Sequence, residues 1–181
     1  ATLKGVEAAG SITLESLGDF TQAPVPTRAP ENVISVFSDA YTNVPVDYYN
    51  GFFNGDGQTT LGGAPPININ GNQIINYTAL NFVGIGTFLN VEPVNASQMT
   101  HFHIDINVQD ETIQPTDFIK IRILNRVQTG SETLGEVTIP AVNLLGYPQG
   151  ETLPPNPFID PPRGWSSFDI PLADFTGLGG R

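Results

Sequence analysis

Short apolar runs broken by turn residues dominate this chain, and no stretch sustains the spacing of an amphipathic helix. The clearest alternation is His101-Phe102-His103-Ile104-Asp105-Ile106-Asn107-Val108. Its polar residues sit at odd positions and its apolar ones at even positions, which predicts a strand with one face on a core and the other toward water or a ligand. Ile119, Ile121 and Ile123 alternate with Lys120 and Arg122, and Phe168, Ile170 and Leu172 alternate with Ser167, Asp169 and Pro171, predicting two more strands. Val33-Ile34-Ser35-Val36-Phe37 predicts a buried strand. Ile67-Asn68-Ile69-Asn70 and Gln73-Ile74-Ile75-Asn76-Tyr77 predict a hairpin turning at Asn70-Gly71. Leu172 to Phe175 suits one helical turn. The fold class that follows is all-β, an antiparallel β-sandwich of the jelly-roll type.

The ends of this pattern differ from its middle. Ala23-Pro24-Val25-Pro26-Thr27-Arg28-Ala29-Pro30 places three prolines within seven residues, the signature of a semi-rigid extended linker. Residues 1–30 are therefore expected to be a linker or the tail of a preceding module, with an edge strand plus loop as the alternative, and residues 31–181 a sandwich module. Six prolines between Leu144 and Arg163 predict a long surface loop, and loops of that length in a compact domain are commonly functional or mobile.

At 181 residues the chain has room for one ordinary domain. Charged residues make up only 14%, and a formal charge of -11 opposes phosphate backbones and anionic headgroups, so no nucleic-acid partner is expected. The absence of cysteine removes disulfides, thiolate metal sites and a cysteine nucleophile. No apolar run is long enough to cross a bilayer, so no membrane insertion is expected. The first residues lack the shape of a signal peptide, so the chain is expected to be mature or cut from something larger.

Three segments together resemble a known family: 33–44 (Val-Ile-Ser-Val-Phe-Ser-Asp-Ala-Tyr-Thr-Asn-Val), 95–106 (Asn-Ala-Ser-Gln-Met-Thr-His-Phe-His-Ile-Asp-Ile) and 164–172 (Gly-Trp-Ser-Ser-Phe-Asp-Ile-Pro-Leu). They look like the markers of galactose-binding-like β-sandwich modules, among them many bacterial carbohydrate-binding modules appended to secreted polysaccharide-degrading enzymes. The resemblance spans roughly residues 31–175. It implies a secreted or cell-surface protein, covalently linked neighbouring domains, a polysaccharide partner and a structural calcium ion. By the same resemblance Asp39 is the best calcium carboxylate, with Asn43 second. Such modules continue with two further strands after the segment matching Asp169-Ile170-Pro171-Leu172, so the ending Gly177-Leu178-Gly179-Gly180-Arg181 has the look of a proteolytic end. Where relatives carry a Trp-containing loop after the first strand, this chain has Asp47-Tyr48-Tyr49-Asn50-Gly51-Phe52-Phe53-Asn54.

That loop is the first candidate for chemistry. Tyr48, Tyr49, Phe52 and Phe53 lie among Asp, Asn and Gly, and sugar C–H faces stack on aromatic planes while polar neighbours bond the hydroxyls. The plain alternative is that two of the four rings plug the loop from within. Trp165, the single tryptophan, stands beside Arg163 and can stack on a sugar while Arg163 donates to a hydroxyl or a uronate; a buried anchor at a sandwich end is the competing expectation. His101, His103 and Asp105 share one strand face, yet the outer pair is about 13 Å apart on a strand, which suits a polar face with a histidine bonding a neighbour better than a zinc or iron site. The run 54–57 (Asn-Gly-Asp-Gly) imitates only part of a calcium loop. No nucleophile elbow, phosphate loop or dinucleotide motif is present.

The expectation is thus a noncatalytic polysaccharide-binding module, with Tyr48, Tyr49, Phe53, Trp165 and Arg163 contacting the glycan and Asp39 and Asn43 near calcium. A structural or adhesive surface module, and a small cupin-like metal enzyme using His101 and His103, are the competitors.

Overall fold

The structure, a computed structural model, describes residues 22–51, 57–87, 89–126 and 132–179. It is all-β, built from small antiparallel sheets with only short 3-10 turns of helix. The chain divides into two compact units, Ala1–Ala96 and Ser97–Arg181.

In the first unit, strands β1 (Leu61–Gly62), β2 (Ile67–Ile69), β3 (Asn72–Ile74) and β4 (Tyr77–Thr78) form two small pairs, β1 with β4 and β2 with β3. The β2–β3 hairpin turns where the sequence predicts it. Asn70 and Gly71 both take positive φ, 52° and 87°, as a type I′ turn demands, and the Asn68 side chain accepts the Gly71 N–H at 3.1 Å. Ile69 and Ile74 from the two arms are buried.

Side chains bonded to backbone hold the described loops of this unit. The Asp47 carboxylate accepts the N–H groups of Leu89 and Asn90 at 2.7 and 2.8 Å, charge-assisted bonds stronger than neutral ones. Asn50 Nδ2 donates to the carbonyls of Thr60 and Gly62. The buried Thr60 hydroxyl accepts the N–H groups of Asn81 and Phe82.

Val33–Phe37 is not the strand that its apolar composition predicts. Ser35 makes a single parallel bridge to Asn43 and the chain then bends. The next carbonyl, that of Val36, is taken by the Tyr49 hydroxyl at 3.0 Å rather than by a neighbouring strand, so no ladder propagates.

The second unit holds the long strands: β5 (His101–Asn107), β6 (Phe118–Arg126), β7 (Glu132–Pro140) and β8 (Trp165–Pro171). β5 pairs with β8, and β6 with β7. The β6–β7 register sets Ile119 opposite Ile139, Ile121 opposite Val137 and Ile123 opposite Gly135, so one face of this pair is apolar. The other face carries Lys120 and Arg122, which both reach Glu136. Phe175, 3% exposed, links the two pairs: its ring meets Phe102 of β5 edge-on at 6.0 Å, and its Cβ lies with Leu178 over Gly135 of β7. Thr176 continues along β7, exchanging both backbone bonds with Glu136. The predicted helical turn is present as a 3-10 turn at Leu172–Asp174. Residues 145–164 contain no regular element, matching the loop expected from their prolines. This loop is nevertheless tied down: Tyr147 donates to the Pro157 carbonyl, Gln149 donates to the Ser167 carbonyl of β8, and Pro161 is buried.

Candidate ligand-binding face

In an antiparallel pair, residues opposite one another project to the same side. The β5–β8 register sets Asn107 opposite Trp165, Asp105 opposite Ser167, His103 opposite Asp169 and His101 opposite Pro171. Phe102, Ile104, Ile106, Ser166, Phe168 and Ile170 occupy the other face. The polar face is therefore a row of hydrogen-bonding groups with an indole at one end.

The bonds along this row define its chemistry. Ser167 Oγ donates to Asp105 Oδ1 at 2.5 Å. His103, 46% exposed, has Nε2 at 3.4 Å from Asp105 Oδ2 and Nδ1 at 3.8 Å from Asp169 Oδ1. His101 Nδ1 lies 2.9 Å from the Thr100 hydroxyl. The two histidines thus serve different partners, in accord with the expectation of a polar strand face whose histidine bonds a neighbour. Among the described residues no three His, Asp or Glu side chains are grouped to hold a metal ion. The serine gives its proton to the carboxylate and not to the imidazole, so the order of groups is not that of a base-activated nucleophile.

Arg163 shapes the Trp165 end. It is held at φ 52°, a conformation uncommon outside glycine. Its carbonyl accepts from Asn107 Nδ2 at 3.2 Å and Gln109 Nε2 at 2.9 Å, while Gln109 also bonds the Asn107 carbonyl oxygen of the side chain. Its guanidinium donates through Nη1 to the Asp110 carbonyl at 2.7 Å. The Asp110 carboxylate accepts from the Thr112 hydroxyl and N–H, which holds its pKa below the usual range. The Arg163 guanidinium is thus turned onto backbone, the Asp110 carbonyl.

Tyr48 and Tyr49 lie in the other unit and are half-buried. The Tyr48 ring covers Gly86, with which its backbone forms an antiparallel bridge. Tyr49 donates to the Val36 carbonyl and meets Phe37 edge-on at 5.5 Å, and burial raises its pKa. Its own carbonyl accepts the Tyr77 hydroxyl. Both rings act as struts of the loops around them. Phe52, Phe53 and positions 54–56 lie outside the described residues.

The calcium candidates separate by role. Asp39 Oδ2 accepts the Gln73 N–H on β3, linking the turn after Ser38 to the hairpin. Asn43 is folded onto its own turn, Oδ1 accepting the Ser35 hydroxyl at 2.6 Å and Nδ2 donating to the Ser38 carbonyl at 3.1 Å. Calcium takes six to eight oxygens, many of them carbonyls. Asp39 and Asn43 thus each carry an oxygen already accepting one hydrogen bond, Asp39 from backbone and Asn43 from the Ser35 hydroxyl.

The histidine face is legible in the sequence; what lies opposite it is not. The pairing of β5 with β8 across some sixty residues is what adds Ser167, Asp169 and Trp165, and the shared polar phase of the two strands was the available signal. No protein-family model, curated protein or solved structure matches this chain.

Proposed function

We propose that this chain is a noncatalytic polysaccharide-binding module of the β-sandwich type, the four long strands forming its two layers. The observation that carries the reading is the β5–β8 register, which aligns Trp165 with Ser167, Asp105, His103 and Asp169 on one face. An aromatic plane beside a row of donors and acceptors suits a sugar chain, whose rings stack and whose hydroxyls bond. Contacts of this kind are individually weak. Their use is to raise the local concentration of a covalently attached catalytic or surface domain at its substrate, and the reading has the protein secreted or at the cell surface.

Calcium belongs to the same proposal as a structural ion near Asp39, bound through carbonyls and one carboxylate. Chelation is expected to lower the melting temperature, and Asp39→Ala to abolish that response. Binding is tested by calorimetric titration of the protein against a panel of neutral and acidic polysaccharides. Saturable binding that is lost in Trp165→Ala is the expected result; heat from none of them contradicts the proposal.

A second reading has its own observation. The outward face of β6–β7 exposes Phe118, Leu124 and Leu134, apolar groups around the Lys120–Glu136–Arg122 cluster. That face suits an adhesive module docking protein neighbours, and it predicts that Leu124→Ser and Leu134→Ser impair assembly while glycans have no effect.

A further inference from the structure

We infer that the β5–β8 face accepts a neutral, hydroxyl-rich glycan and turns away polyuronates and other polyanions. This rests on the glycan-binding reading above and adds its substrate class. The two strands, His-Phe-His-Ile-Asp-Ile-Asn and Trp-Ser-Ser-Phe-Asp-Ile-Pro, contain no Lys or Arg, while Asp105 and Asp169 stand on the ligand face to either side of His103. An ionised carboxylate only accepts hydrogen bonds, so it pairs with the O–H donors of a neutral sugar and opposes another carboxylate, which is also only an acceptor. The basic group nearest in sequence to the indole, Arg163, points its Nη1 at the Asp110 carbonyl, and the formal charge of -11 adds a background field of the same sign. The uronate recognition that Arg163 beside Trp165 suggests from sequence alone is therefore disfavoured by the charges across the sheet.

The same geometry gives a direction and a footprint. Trp165 and Asp169 are four residues apart on one strand face, about 13 Å at the usual strand rise. A chain lying along β8 with one ring on the indole thus reaches the His103–Asp169 pair with a later ring, so affinity depends on oligomer length.

The test is titration of the full chain with glucan oligomers and with polygalacturonate oligomers of matched length, for the native protein, Asp105→Asn, Asp169→Asn and the double variant. The expected result is a glucan preference of about tenfold or more, because like charges brought together oppose binding. That preference shrinks in the Asn variants and falls as salt screens the carboxylates. Polygalacturonate bound as tightly as glucan, or a preference unchanged in the double variant, overturns the inference and leaves glycan binding standing. Binding of neither oligomer nor of any polysaccharide in the wider panel overturns the underlying reading itself. Asparagine keeps the size of aspartate while exchanging one acceptor oxygen for an N–H donor and removing the charge, and circular dichroism of each variant reports whether the fold is kept.

Discussion

Gly86 lies beneath the ring of Tyr48: a Cβ built on Gly86 comes within 2.3 Å of the ring. The ring is therefore locked against the backbone with which it forms a bridge, Gly86 N–H donating to the Tyr48 carbonyl at 3.0 Å. A methyl group has no room unless the ring leaves. Gly86→Ala is expected to destabilise the protein by about 1–3 kcal/mol, the range for overpacking. Tyr48→Ala leaves space at Gly86 and relieves that clash. Urea denaturation of the two single variants and the double variant checks this: the double should be less destabilised than the sum of the singles, and simple additivity contradicts the contact.

Ser166 sits on the apolar face of β8, 7% exposed, and its hydroxyl has no hydrogen-bond partner among the described residues. A buried unsatisfied hydroxyl costs free energy that an apolar group does not. Ser166→Ala is expected to raise stability by about 1 kcal/mol, read as a higher denaturation midpoint with an unchanged slope. A lower midpoint means that the hydroxyl is satisfied by a buried water.

Tyr77 links pH to stability. Burial, with Tyr49 beside it, pushes its pKa from 10.0 up to about 12. Since the folded value lies above the unfolded one, the contribution is complete below pH 10 and is lost as pH rises toward 12. Native protein should therefore lose more stability than Tyr77→Phe across that interval, although the variant starts lower for want of the bond to the Tyr49 carbonyl. Parallel curves for the two proteins contradict the assignment.

What the sequence makes legible follows from where the information is local. The Asn70-Gly71 turn and the strict alternation in β5, β6 and β8 need only near neighbours, and each is found where the pattern puts it. β7 escapes because Gly135 holds an inward position and Leu134 an outward one, inverting the expected polarity. Only the fold supplies the reason, Phe175 and Leu178 filling the space over Gly135. Val33–Phe37 fails the other way: it is apolar enough for a strand, but side-chain bonds from Tyr49 and Asn43 engage it instead. The ligand face lies between these cases. Its β5 half is visible as His101, His103 and Asp105, whereas Ser167, Asp169 and Trp165 join it only through a distant pairing.

Trp165 is the sole tryptophan of the chain, so its emission reports directly on the face proposed to bind glycan. Fluorescence titration with a neutral polysaccharide, run beside calorimetry on the same samples, is the most direct measurement. A saturable change in emission that follows the calorimetric isotherm is the predicted result. Calorimetric binding with emission unchanged throughout moves the site away from β8, and the absence of binding in both measurements contradicts the account as a whole.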